Sequence, residues 1–264
     1  MRLAVLLNGQ LRLWVKAAPY LFKYFESQSY NVDYYLASWN TTRTFWWPEE
    51  HSIHTNRPVL DTEITDIFHQ YGKTLIDYQL VDQIKREPMT YFYFTWLSKL
   101  TNLMKRRHEW KNNFVYDQVV EVRPDLYIAP SLLPWRPCEE YQYVSGGMAL
   151  YTDKTNGHLY HNDFYYRSTS WSNDVLSNRG LNKPNDKMTF TGNSRELRDT
   201  PTDNHQLLSE WILKRKITEC PSPIDYLYVF IIRPNFPNDL NVLDREQLIT
   251  LNDEWIKSQW ASPK

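Results

Sequence analysis

Several short stretches of this chain carry residue types that can do chemistry where a strand would end. In Asn8-Gly9-Gln10-Leu11-Arg12 a glycine turn is followed by a cation. Backbone N–H groups and Arg12 together can grip a phosphate or the edge of a nucleotide. The alternative is that Gly9 simply starts a helix. In Glu121-Val122-Arg123-Pro124-Asp125, alternation along an extended segment puts Glu121, Arg123 and Asp125 on one side. Two carboxylates at a strand end can hold Mg²⁺ or Mn²⁺, which would bridge a diphosphate and neutralise a departing phosphate. The alternative is an ion pair of Arg123 with Asp125 or Glu121 beside a proline turn. Further on, His161-Asn162-Asp163 precedes Arg167-Ser168-Thr169-Ser170. Asp163 beside hydroxyls can take a sugar hydroxyl or act as a base, or Asp163 and Ser170 are turn and N-cap residues. Asp203-Asn204-His205 has the same two readings, helix cap or catalytic group.

Other chemistries find no support. There is no G-x-G-x-x-G fingerprint and no Walker loop with its Lys-Ser/Thr, against hydride transfer and ATP hydrolysis. The histidines lack metal-ligand spacing: His158 and His161 have no cysteine or further histidine beside them, against a zinc site. No G-x-S-x-G elbow is present, and Cys138 has no evident activating partner.

The elements that must position these residues alternate. Leu3 to Leu7 is a continuous apolar run, as in a strand buried on both faces of a parallel sheet. Helical spacing follows over Trp14–Ser27, a second strand over Val32–Ala37, a helix over Asp61–Tyr71 and a third strand over Lys73–Leu80. Thr90–Trp110 is the longest helical pattern, with Phe94, Leu97, Leu100, Leu103 and Met104 on one face, and Asp117–Val122 is a fourth strand. Tyr141–Ser145 is strand-like and Leu150-Tyr151 resumes it after Gly146-Gly147; Asp163–Arg167 is strand-like before a helix over Ser170–Ser177. The remainder is a helix over Asp203–Lys216, a strand over Ile224–Ile232 and a helix over Asp244–Trp255. Two long loops, 41–58 and 181–200, can close over a ligand. This order is that of an α/β protein, and its ligand crevice is expected at the carboxyl ends of the strands.

Bulk properties narrow the class. At 264 residues the chain suits one compact domain. Net charge is −1 and the one basic cluster, Lys105-Arg106-Arg107-His108, suits a helix end, so nucleic acid is not an expected partner. Cys138 and Cys220 are expected as free thiols, and the apolar run at the amino terminus is too short for a membrane span, which makes the expected location cytoplasmic. Aromatic residues reach 16%, which suits either sugar and base stacking or an aromatic core.

The segments Leu-Leu-Asn-Gly-Gln-Leu-Arg, Val-Asp-Tyr-Tyr-Leu-Ala-Ser-Trp and Tyr-Asp-Gln-Val-Val-Glu-Val-Arg-Pro-Asp-Leu-Tyr resemble a broad group of glycosyltransferase-like proteins. Members occur in bacteria, phages and large viruses and typically read "SGQLR", "DvFihtW" and "YDlviRtRPDl". Asn162-Asp163-Phe164 with Ser168, and Thr202-Asp203-Asn204-His205, resemble later segments of that group.

The resemblance implies a GT-A-like nucleotide-diphosphosugar transferase fold with a mostly parallel central sheet flanked by helices. It makes 1–130 a nucleotide-binding half and 131–264 an acceptor-side half of a single domain. It implies transfer of a sugar to a hydroxyl acceptor, a glycan, in the cytoplasm (the host's, if the chain is viral). Gly9, Gln10, Arg12 and Arg123 would meet the donor, Asp125 and Glu121 a Mn²⁺ or Mg²⁺ ion, and Asp163 or Asp203 would serve as the acceptor-side base. Arg123 stands where the metal-binding Asp-x-Asp motif of that fold has its first acid, and Glu121 where the group has Arg. Glu121 would then restore a second carboxylate, or Arg123 would replace part of the metal's charge. The rival readings are a non-catalytic glycan- or nucleotide-binding protein on the same fold and a nucleotidyltransferase.

Overall fold

A computed structural model describes residues 1–28, 30–42, 57–82, 90–128, 137–145, 151–152, 159–160, 165–178, 215–219 and 229–231, and single positions at 237, 247, 250, 251 and 254. Its first strand, β1 (Arg2–Gly9), is buried from Leu3 onward. A strand enclosed on both faces needs apolar residues at every position, which Leu3–Leu7 supplies. It is followed by α1 (Trp14–Glu26), β2 (Asn31–Trp39), α2 (Asp61–Gln70), β3 (Thr74–Val81), α3 (Thr90–Asn112) and β4 (Gln118–Val122). Each of these elements lies where hydrophobic spacing puts it.

The later elements are shorter: β5 (Leu126–Ile128), β6 (Gln142–Ser145), β7 (Tyr151–Thr152), β8 (Leu159–Tyr160), β9 (Tyr165–Ser168), α4 (Ser170–Leu176), β10 (Thr218–Glu219) and β11 (Val229–Ile231). Tyr151 does not resume β6: β7 pairs with β8 in a separate ribbon. The N-cap of α4 is Thr169, whose hydroxyl accepts from the Ser172 N–H at 3.3 Å, so Ser170 is not the cap. Gln247, Thr250, Leu251 and Glu254 are helical, inside the expected terminal helix.

Seven strands form one sheet in the order β10-β6-β9-β4-β1-β2-β3. β1 pairs in parallel with both β2 and β4, and β2 with β3. β9 runs antiparallel to its neighbours β4 and β6, and β10 is parallel to β6. The chain winds outward from β1 to β3, returns through α3, and adds β4 on the other side of β1. Strand order therefore reverses between β1 and β4.

Alternation splits the core accordingly. Leu3, Val5 and Leu7 point to one face, where Ala18, Leu21, Phe22 and Phe25 of α1 and Ile64, Ile67 and Phe68 of α2 cover them. Ala4 and Leu6 point to the other, with Tyr35, Met104, Tyr116 and Val119. Here α3 departs from its expected apolar face. Leu97 and Met104 are buried, but Leu103 is exposed, and Thr95, Ser98, Thr101, Asn102, Lys105 and Glu109 are buried instead. A polar stripe can face inward only if partners meet it. Lys105 Nζ donates to the Ser170 carbonyl at 3.3 Å, to Ser170 Oγ and to Asp174 Oδ1 at 3.0 Å, and lies 3.4 Å from Glu109 Oε2. Ser170 Oγ in turn donates to Glu109 Oε1 at 2.7 Å. The run read from sequence as a solvated basic end thus begins with a buried cation that binds α3 to α4.

Breaking a buried ion pair from one side costs about 3–5 kcal/mol. Lys105→Met, which keeps the volume and removes the charge, should lower stability by about 3 kcal/mol in urea unfolding. A loss below about 1 kcal/mol would show that the seam does not hold the helices. Tyrosines give a pH signature. Burial raises Tyr34 above its ordinary value; burial, and then the charges of Asp33 and Glu109, raise Tyr35; burial and hydrogen bonds to Tyr35 and Asp33 raise Tyr116. A raised folded value favours the neutral phenol in the folded state. That contribution is complete below the unfolded value near 10 and is lost as pH climbs beyond it. Stability should therefore fall above about pH 10, with these phenols ionising together at unfolding. Their separate ionisation in the folded protein, seen by tyrosinate absorbance, would contradict this.

Candidate functional site

In an open α/β sheet the crevice outside the carboxyl ends of the strands, where strand order reverses, is the natural ligand position. Here that point lies between the ends of β1 and β4. Leu7 is in register with Val122, so the residues after Val122 run beside the end of β1. Pro124 then stops the strand, since it has no N–H for the ladder. Gly9 has φ +136°, and a Cβ there would lie 3.3 Å from Pro124 Cδ and 3.8 Å from Arg123 Cγ. A glycine is required at this position both for backbone angle and for space. Sequence reasoning singled out both segments; the register brings them into contact.

Arg123 and Asp125 form a two-pronged ion pair, Nε to Oδ1 at 2.9 Å and Nη2 to Oδ2 at 2.7 Å. Both are buried, at 7% and 1% exposure. Of the two readings open for this segment, the ion pair is the arrangement present. Glu121 has other partners. Pro124 ends the strand before alternation can extend to Asp125, and Glu121 Oε2 accepts from Ser98 Oγ of α3 at 2.8 Å, from the Tyr166 hydroxyl of β9, and from Ser177 Oγ at 3.5 Å. As they stand, these carboxylates do not fit a divalent cation. Both Asp125 oxygens face a guanidinium, Glu121 is tied by hydroxyls, and no group of three or more His, Cys, Asp or Glu is assembled among the described residues.

Gln10 is 3% exposed, and neither its Nε2 nor its Oε1 has a hydrogen-bond partner. Asn8, at 5% exposure, has an unpartnered Nδ2. Leaving a buried amide unsatisfied costs about 1–3 kcal/mol, which a ligand with matching groups would recover. Asn8 was not among the residues chosen for a site from sequence, although an amide closing an apolar strand run was the available signal. Arg12 is half-buried in the turn before α1, and Leu13 caps that helix at φ 48°, a left-handed angle costly for leucine. Strain of this kind collects where chain placement matters more than local comfort.

Asp163 and Asp203 lie outside the described residues, as do 43–56 of the first long loop and 181–200 of the second. The first loop's ends are pinned by a bridge between Thr41 and Pro58. An open depression of about 730 Å³, lined by Leu103, Trp110 and Val115 among others, lies on the carboxyl end of α3, away from the β1–β4 crevice. Cys138 is buried as a free thiol. Among the described residues no helix is long and apolar enough to cross a membrane.

The architecture is that of an α/β protein with a mostly parallel, mixed sheet flanked by helices, whose strand order reverses between β1 and β4. No protein-family model matches the chain, and no curated protein matches its sequence.

Gly9→Ala should destabilise by about 1–3 kcal/mol, from strain at positive φ and contact with Pro124. Urea unfolding measures this, and an unchanged midpoint would mean that the β1 turn has room to relax.

Proposed function

We propose that the protein is a glycosyltransferase that moves a sugar from a nucleotide-diphosphosugar donor to a hydroxyl acceptor, a glycan, on a GT-A-like fold. The observation that carries this reading is the crevice where Gly9 meets Arg123-Pro124, flanked by the unpartnered amides of Asn8 and Gln10. The same segments carry the resemblance to glycosyltransferase-like proteins, and the sheet is compatible with the fold implied.

In this reading Asn8 and Gln10 hydrogen-bond the nucleotide edge, since a primary amide offers both donors and an acceptor. Gly9 lets the end of β1 lie against Pro124 and Arg123, which keeps Asn8 and Gln10 beside the arginine. Arg12 and Arg123 bear on the phosphates, where charge grows as the bond breaks, and directed N–H donors in a water-poor site stabilise that charge. The acceptor hydroxyl forms a bond to the anomeric carbon and gives its proton to a carboxylate base, with Asp163 or Asp203 as candidates. The bond from the anomeric carbon to the diphosphate breaks, and its electron pair leaves with the nucleoside diphosphate. No step is routed through a metal, because Glu121 and Asp125 as arranged do not fit one.

A thermal-shift screen with UDP-, GDP-, ADP- and dTDP-sugars tests the reading, with a CMP-sugar, which carries no diphosphate, as the control. One nucleotide class should stabilise by about 2.7 kcal/mol at a hundred times its Kd, and Gln10→Ala should abolish that shift. Release of nucleoside diphosphate with an acceptor would distinguish transfer from mere binding. Binding without any turnover would move the protein to a nucleotide- or glycan-binding role, and no shift with any donor would overturn the proposal.

A further inference from the structure

We propose that Asp125 is a positioning residue for Arg123, and that this pair receives a diphosphate without a divalent cation. The inference rests on the reading above and deepens it, because it names what holds the donor's phosphates.

The geometry around Asp125 is that of a carboxylate serving an arginine. Both of its oxygens accept from one edge of the guanidinium, at 2.9 and 2.7 Å. A Mg²⁺-type ion demands oxygen ligands at about 2.0–2.1 Å in octahedral array. To reach Asp125 it would have to displace that edge and bring a second positive charge beside the first. Among the described residues, the carboxylate that sequence spacing groups with it, Glu121, is committed to Ser98, Tyr166 and Ser177, on α3, on β9 and at the end of α4. Removing it from them would loosen the packing of three elements.

The neighbouring groups are donors instead. Asn8 Nδ2 and Gln10 Nε2, on either side of Gly9, are buried amide donors without partners, and Gln10 Oε1 is a buried acceptor without one that turns away when Nε2 donates to a phosphate. A guanidinium has five N–H groups, of which the Asp125 fork uses two. Amides, a guanidinium and a closely approaching backbone suit a ligand rich in acceptor oxygens. The Arg123–Asp125 pair is neutral overall, so Asp125 fixes direction and Arg12 supplies the additional positive charge. A fixed guanidinium binds phosphate with less loss of side-chain freedom than a mobile one.

The test uses the full chain and inorganic pyrophosphate as probe, first in EDTA and then in Mn²⁺. Pyrophosphate should raise Tm in EDTA, with Kd in the two conditions agreeing within about twofold. Arg123→Gln combined with Asp125→Asn removes both charges and avoids burying a lone carboxylate. It should weaken binding about tenfold or more, while circular dichroism shows the fold intact. Asp125→Asn alone should weaken binding by a smaller factor, and Arg123→Lys in the parent should retain part of the affinity, as expected when charge survives but the fork does not. A Mn²⁺ titration followed by electron paramagnetic resonance should show no uptake by the protein alone. Pyrophosphate binding that requires Mn²⁺, Mn²⁺ uptake that Asp125→Asn abolishes, or no pyrophosphate binding in either condition would each overturn the inference. Pyrophosphate binding in EDTA with no response to any nucleotide-sugar would preserve it and reject glycosyl transfer.

Discussion

A carboxylate in the middle of a sheet covered on both faces has to be neutralised or fully hydrogen-bonded, and the position of much of this protein follows from how Glu121 meets that demand. Its oxygen accepts hydroxyls from α3, from β9 and from the residue that caps α4. Hydrogen bonds to a charged group contribute about 1.5–3 kcal/mol each, and a buried carboxylate deprived of them would be a large penalty. Ser98, Tyr166 and Ser177 therefore cannot drift independently. The same helix face carries Lys105, whose contacts with Ser170, Glu109 and Asp174 repeat the arrangement with the charges exchanged. Together these polar contacts hold α3 and α4 against β4 and β9 where an ordinary apolar stripe would have done so less selectively. Directional bonds tolerate one docking of the helix, whereas leucines tolerate several.

That rigidity is transmitted along β4 to the crevice. Only Val122 separates Glu121 from Arg123, and it is in register with Leu7 of β1. Fixing Glu121 fixes where Pro124 turns, and so how closely Gly9 can approach it. The Arg123–Asp125 fork adds an internal constraint just beyond the strand. A ligand entering here would meet donors already oriented, which would lower the ordering cost of binding.

Much of the first half was legible in the sequence because its strands and helices are long and periodic. β1 reads as an apolar run, α1 and α2 as helical stripes, and the glycine and proline breaks mark the ends of β1 and β4. What was not legible has physical causes. β5, β8 and β10 are two or three residues long and exist only through their neighbours, so no local period announces them. The inward face of α3 is not legible from its own period, because serine and lysine are buried only when partners elsewhere in the chain satisfy them, and those partners lie on β4 and α4. Glu121 was grouped with Asp125 by alternation, which holds only while the backbone stays extended. The two site segments were found by residue type, but their contact depends on sheet register. Asn8 opens the first of these segments, but its type alone does not distinguish it from an amide that pairs with backbone at a strand end.

The two ends of the sheet treat their polar groups differently, and the difference bears on function. At the amino end, Asp33 accepts from the Tyr116 hydroxyl at 2.7 Å and from Arg2 at 3.2 Å, while Tyr35 and Tyr116 share a hydrogen bond of 2.8 Å. Arg2 also lies over the Phe114 ring, its guanidinium carbon 3.6 Å from the centroid. Many of the aromatics read from composition as possible sugar platforms are used in this closure or in the α1–α2 core, where Trp14, Phe22, Tyr34 and Phe68 pack edge to face or tilted. That core does hold Tyr34 and Trp14 with unpartnered polar atoms, but each brings one such atom on a large apolar ring. Among the primary amides, Asn102 of α3 and Asn173 of α4 each leave one buried atom unpartnered, as Asn8 does, whereas Gln10 leaves both. Leaving such groups unsatisfied at the carboxyl end, beside a glycine with no alternative and an arginine held in a fork, costs stability that apolar replacements would restore. A ligand that bonded to both atoms of Gln10 and to the Asn8 amide would offset that cost.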